Sequence, residues 1–104
     1  MLDNKKLSDL LTEVAFTLYQ GMVRIKHKEE TTASEVADFV RAMPGVTRVS
    51  AVDSDETTHT VVLKVKVLTA RPPQDTYKKL QKDMYRLVPN IKQVELSLKS
   101  IQPI

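Results

Sequence analysis

The sequence predicts an α+β sandwich, in which one antiparallel sheet carries two helices on one of its faces. Three observations predict it. Val61-Val62-Leu63-Lys64-Val65-Lys66-Val67-Leu68 sets β-branched and aliphatic residues against lysines with a period of two, the pattern of a strand with one face on a core and one toward water. Strand-like and helix-like stretches then follow one another as β-α-β-β-α-β. Finally, the two halves echo each other: Met43-Pro44-Gly45-Val46-Thr47-Arg48-Val49 parallels Val88-Pro89-Asn90-Ile91-Lys92-Gln93-Val94. In both, a helix ends at proline, a turn residue follows, and a strand starts with apolar residues three apart.

Taken in order, residues 3–20 read as an N-terminal amphipathic helix capped by Asp3 or Asn4. Leu7, Leu10, Leu11, Val14, Ala15 and Leu18 fall on one stripe, and Gly21 can supply a left-handed stop. A competing reading starts the first strand within 16–20, with Gly21 as a bulge. Otherwise the first strand runs over 22–28, with Val23, Ile25 and His27 on one side and Arg24, Lys26 and Lys28 on the other. Thr32-x-x-Glu35 is a capping box that opens a helix with the stripe Val36, Phe39, Val40 and Met43, closed by Pro44-Gly45. Residues 46–52 form the second strand, Asp53-Ser54-Asp55-Glu56 a polar hairpin tip, and 57–69 the third strand. Arg71-Pro72-Pro73 breaks the chain and starts a helix with Asp75 near its positive end and the stripe Tyr77, Leu80, Met84 and Leu87. Pro89 ends it. The fourth strand covers 91–99, and 100–104 reads as a tail. The resulting arrangement is a ferredoxin-like split βαβ sandwich: four strands in the order 4-1-3-2, two helices on one face, and the extra helix in front. The chain divides into that helix, 1–20, and the sandwich, 21–104.

Composition narrows the function. At 104 residues, 41% of them hydrophobic and 28% charged, the chain has the makings of one globular domain. Cysteine is absent, which excludes disulfides and thiolate chemistry. Two glycines leave no room for a phosphate-cradling Gly-rich loop. No apolar run approaches the roughly 20 residues that span a bilayer, so no membrane partner is expected. Asp53-x-Asp55-Glu56 lacks the central glycine and distant glutamate of a calcium loop and reads as a solvated turn. His27 and His59 stand outside any carboxylate cluster at ligand spacing. No catalytic residue, metal ligand or cofactor is therefore assigned, and an enzyme is not expected.

Two surfaces remain. Arg24, Lys26 and Lys28 beside Lys64 and Lys66, joined by Lys99 and Arg48 from the flanking strands, fall on the solvent side of the sheet with Glu95 as the main acid nearby. Such a face suits an anion or a nucleic-acid backbone, or keeps an open sheet soluble. The aromatics that stack bases in RNA-reading sheets are missing from it. The stripe Leu7, Leu10, Leu11, Val14 and Leu18 suits packing on the domain or on a second chain.

The stretch Phe39-Val40-Arg41-Ala42-Met43-Pro44-Gly45-Val46, with its echo, resembles the ACT domain and the C-terminal effector domain of feast/famine-type regulators, where a helix leads into Pro-Gly-Val, a strand, a hairpin and a second helix. The resemblance implies the same sandwich, a habit of pairing through sheets or helices, and small-molecule sensing. Glu29-Glu30-Thr31-Thr32 stands where ACT domains carry a glycine-rich ligand loop. The chain is also similar to small ferredoxin-like proteins encoded by tailed phages of marine bacteria. The leading expectation is a non-enzymatic interaction or assembly module that forms a homo-oligomer or docks on a protein partner, cytoplasmic or, if phage-encoded, virion-associated. Anion or nucleic-acid binding on the basic sheet and ACT-like sensing are the alternatives.

Overall fold

The computed structural model describes residues 16–104. They form β1 (Thr17–His27), α1 (Ala33–Arg41), β2 (Val46–Asp55), β3 (Thr60–Thr69), α2 (Pro73–Leu87), β4 (Ile91–Leu96), a 3-10 turn at Leu98–Ser100 and β5 (Gln102–Pro103). This is an α+β fold with one antiparallel sheet and two helices. Four strands lie in the order β2-β3-β1-β4, which is the expected 4-1-3-2 read from the other edge, and β5 adds a fifth by pairing with β1.

Period-two alternation decides which side of each strand is buried. Val23 and Ile25 of β1, with Val61, Leu63, Val65 and Val67 of β3, turn inward. They join Val36 and Val40 of α1 and Leu80 and Met84 of α2 in a single core, so both helices cover the same face. α1 begins as its capping box requires: the Glu35 amide donates to Thr32 Oγ1 at 3.2 Å. The reciprocal contact differs from the expected one, since the Glu35 carboxylate accepts from the Thr32 hydroxyl, also at 3.2 Å. The two echoing turns adopt the same backbone. Gly45 has φ +83° and Asn90 φ +61°, the left-handed region that glycine and asparagine enter most cheaply.

Several boundaries move. Thr17–Gln20, placed by sequence in the N-terminal helix, are strand, so β1 starts early as the competing reading had it. Leu18 thereby leaves the apolar stripe and pairs with Leu68 across β1 and β3. Leu7, Leu10, Leu11 and Val14 lie outside the described residues. β2 runs on to Asp55, which shifts the hairpin tip to 56–59. Phe39 and Leu87, assigned to buried stripes, are exposed over about two fifths of their surface, at 43% and 40%.

The C-terminus departs most from expectation. The fourth strand stops at Leu96, where Ser97 accepts the Ser100 amide on its hydroxyl and turns the chain. Ile101 then buries itself and Gln102–Pro103 rejoin β1. Gly21 makes this return possible. A Cβ there would stand 3.2 Å from Ile101 Cγ1, so the chain crosses β1 where β1 has no side chain. Residues 101–103 therefore belong to the core and the sheet, and Lys99 sits in the 3-10 turn instead of on a strand.

Candidate interaction surface

The face of the sheet away from the helices can be read from the register. One row crosses it as Arg48–Lys66–Gln20–Gln102, the next as Ser50–Lys64–Met22, and a third as Asp53–Val62–Arg24–Glu95. Lys26 lies beyond, between Thr60 and Gln93, and Leu18–Leu68 close the opposite end. Arg24, Lys26, Lys64 and Lys66 thus share one surface as the sequence predicts, with Arg48 among them. Lys28 and Lys99 do not join them on strands, because β1 ends at His27 and β4 at Leu96.

Charge on this face is unevenly divided. Arg48, Lys66 and Lys64 form an acid-free group on β2 and β3. Farther along the strands Arg24 stands opposite Glu95 on one side, while Asp53 and then Asp55 occupy the hairpin end of β2. Among the described residues, none of Arg24, Lys26, Arg48, Lys64 and Lys66 makes an ion pair within 4.0 Å. Apolar surface adjoins the cations, with Met22 and Leu68 exposed. The expectation of a basic sheet with Glu95 as its main acid is corrected to a face with a basic end and a mixed end, because β2 extends three residues farther than its alternation signalled. Two register shifts, at Thr47 and Val52, carry β2 across that distance and leave Val52 exposed.

At the hairpin end a cleft of about 330 Å³ lies between the β1–α1 connection and the β2–β3 turn. His27 and His59 meet there edge to face with ring centroids 5.9 Å apart. His27 is buried on the core side of β1, and its Nδ1 is 3.0 Å from the Lys28 carbonyl. His59 Nε2 lies 3.7 Å from a Glu29 carboxylate oxygen. The buried Thr31 hydroxyl has no hydrogen-bond partner among the described residues. Asp55 is spent on the turn itself: the backbone amides of Thr57 and Thr58 donate to its carboxylate and hold its pKa below the ordinary value. Among the described residues no three His, Asp or Glu side chains converge as metal ligands.

Sequence reasoning missed a second charged surface, on α2. Lys78, Lys79, Lys82 and Arg86 fall at i, i+1, i+4 and i+8, and with Arg71 and Asp75 they line an open groove of about 360 Å³. The helical spacing of those cations was a readable signal.

The described residues define a small α+β protein with one covered and one open sheet face. Comparison with protein-family models finds no match for the chain, and comparison with curated proteins finds none. No helix among the described residues is long and apolar enough to cross a membrane.

Proposed function

We propose that this chain is a ferredoxin-like, non-enzymatic assembly module that pairs with a second copy of itself through the open sheet face. The observation that carries the reading is the division of charge along that face. A two-fold axis lying between two such sheets, across their strands, would set the basic end of each copy (Arg48, Lys66) over the hairpin end of the other, where Asp53 lies on the face and Glu56 in the turn beyond it. Met22 and Leu68 would then supply apolar contact among the paired charges. A self-complementary patch of this kind is what a two-fold interface requires. Exposed cations beside exposed aliphatic side chains favour it over a face that merely stays solvated.

Solution mass by light scattering tests the reading. The expected result is a dimer at low salt that weakens as salt rises. Arg48→Glu/Lys66→Glu is expected to be monomeric, and mixing it with Asp53→Lys/Glu56→Lys should restore a dimer between the two variants. A wild-type chain that stays monomeric at low salt would sink the proposal, as would a dimer indifferent to both variants.

A further inference from the structure

A helix that faces a core is expected to bury apolar residues only, yet α2 buries Thr76, Leu80, Asp83 and Met84. Asp83 therefore sits at a core-facing position with its side chain 6% exposed. Burying a carboxylate is costly unless it is paired, and this one is paired twice. Lys79 Nζ lies 2.7 Å from one oxygen and Arg86 NH2 3.2 Å from the other. Both cations keep much of their surface, at 40% and 63% exposed. Asp83 thus acts as a buried anchor that holds two half-free cations at fixed positions beside a groove. Exposed Lys78 and Lys82, and Arg71 at the start of the helix, complete the cluster. Five cations stand there against Asp75 and Asp83.

We infer that this face of α2 binds the phosphate backbone of nucleic acid, without reading sequence. Two of the cations, Lys79 and Arg86, meet at Asp83, so the point where a single phosphate would be held between them is already taken by a carboxylate. The backbone positions of Lys78, Lys82 and Arg86 are strung along eight residues of helix, about 12 Å at a rise of about 1.5 Å each. A row of that length matches several successive phosphates of a strand. Base reading is not provided for, because the exposed aromatic on this helix, Tyr85, accepts the Val94 amide on its hydroxyl at 2.9 Å. An anionic membrane fits less well. An interfacial helix needs its apolar side for lipid, and the apolar side of α2 is spent in the core. An acidic protein fits less well too, since stable protein interfaces centre on desolvated apolar anchors and this groove is lined by charged side chains. The surface is separate from the open sheet face, so its failure and the failure of the dimer reading are independent.

Fluorescence anisotropy with a labelled random-sequence duplex and the matching single strand, across a salt series, tests the inference. Binding at low salt is expected, falling steeply as salt rises. Lys78→Ala/Lys82→Ala should weaken it at least tenfold and lower the slope of log K against log salt by roughly 2. Both residues are exposed, so this variant folds as the parent does. Asp83→Asn is the sharper arm, because it adds one unit of positive charge. A surface that works by net charge alone would bind more tightly, whereas loss of the anchor should weaken binding several-fold, with circular dichroism showing the variant folded at the assay temperature. Absence of binding at low salt would overturn the inference. So would tighter binding by Asp83→Asn, abolition of binding by Lys64→Glu/Lys66→Glu with Lys78→Ala/Lys82→Ala unaffected, or a stronger response to polyglutamate or to anionic vesicles than to nucleic acid.

Discussion

The two halves of the molecule, β1-α1-β2 and β3-α2-β4, share a topology and a turn but not a chemistry. α1 has nine residues, opens on a hydroxyl cap, and buries Val36, Ala37 and Val40. α2 has fifteen residues, opens on prolines with no side-chain cap, and buries an aspartate among its apolar residues. The outer strands diverge as well. β2 runs ten residues with two register shifts, whereas β4 stops after six and hands its edge of β1 to β5. The difference teaches which features the architecture demands. Proline followed by a left-handed residue, then a strand with inward valine or isoleucine, occurs in both halves and belongs to the fold. The buried Asp83 and the cations around it occur in one half only, and the fold does not need them.

The largest expected effect tests whether α2 packs with one face and offers charge with the other. Met84 is fully buried. Met84→Ala should cost about 2–5 kcal/mol through lost transfer energy and the cavity left behind. Lys82→Ala, two residues earlier and exposed, should stay within about 0.5 kcal/mol. Chemical denaturation of both variants measures this. A loss under about 1 kcal/mol for Met84→Ala would mean that α2 is not firmly docked, and the division of labour on that helix would fail.

The same contrast explains what could be read in advance. The inward valines of β1 and β3 and the paired Pro-Gly and Pro-Asn turns were legible because each follows from local geometry: alternation in a strand, or a backbone angle that few residues accept. The start of β1 was obscured because Leu18 continues the helical spacing of Leu7, Leu11 and Val14, and the pattern gives no reason to stop before it. The end of β4 was obscured for a similar reason. Leu98 continues the alternation of Val94 and Leu96, yet it lies 42% exposed in a turn while Ile101 fills the core. Of the candidate sites, the open-face cations were legible from alternation. The anchoring role of Asp83 was not, because a charged residue in a helical stripe looks like surface until its neighbours in space are known.

A middle-sized effect separates the two turns. Gly45→Ala places a Cβ on a left-handed residue, and at φ +83° it should cost about 1–2 kcal/mol. Space is not the obstacle, since that Cβ would meet the Leu68 carbonyl oxygen at an ordinary 3.4 Å. Asn90→Gly, at φ +61°, removes a Cβ from the equivalent turn and should change stability by only a few tenths of a kcal/mol. Thermal melts of the two variants would show whether the turns are energetically as alike as they are in backbone. Equal losses from both would contradict the equivalence and point to a side-chain role for Asn90.

The smallest effect concerns how the two helices start. Thr32 accepts the Glu35 amide and donates to the Glu35 carboxylate, so its hydroxyl joins two groups of the first turn. α2 has no such contact, because Pro72 offers no polar side chain and begins the helix by fixing the backbone. Thr32→Ala should therefore destabilise the chain by about 1 kcal/mol. Thr32→Ser, which keeps the oxygen, should recover most of the loss. The stabilities of the two variants against denaturant decide the point. If Thr32→Ala is neutral, the cap contributes nothing beyond what water supplies to the free amide. α1 would then be held, like α2, by its buried face alone, and the difference in how the two helices begin would carry no energetic weight.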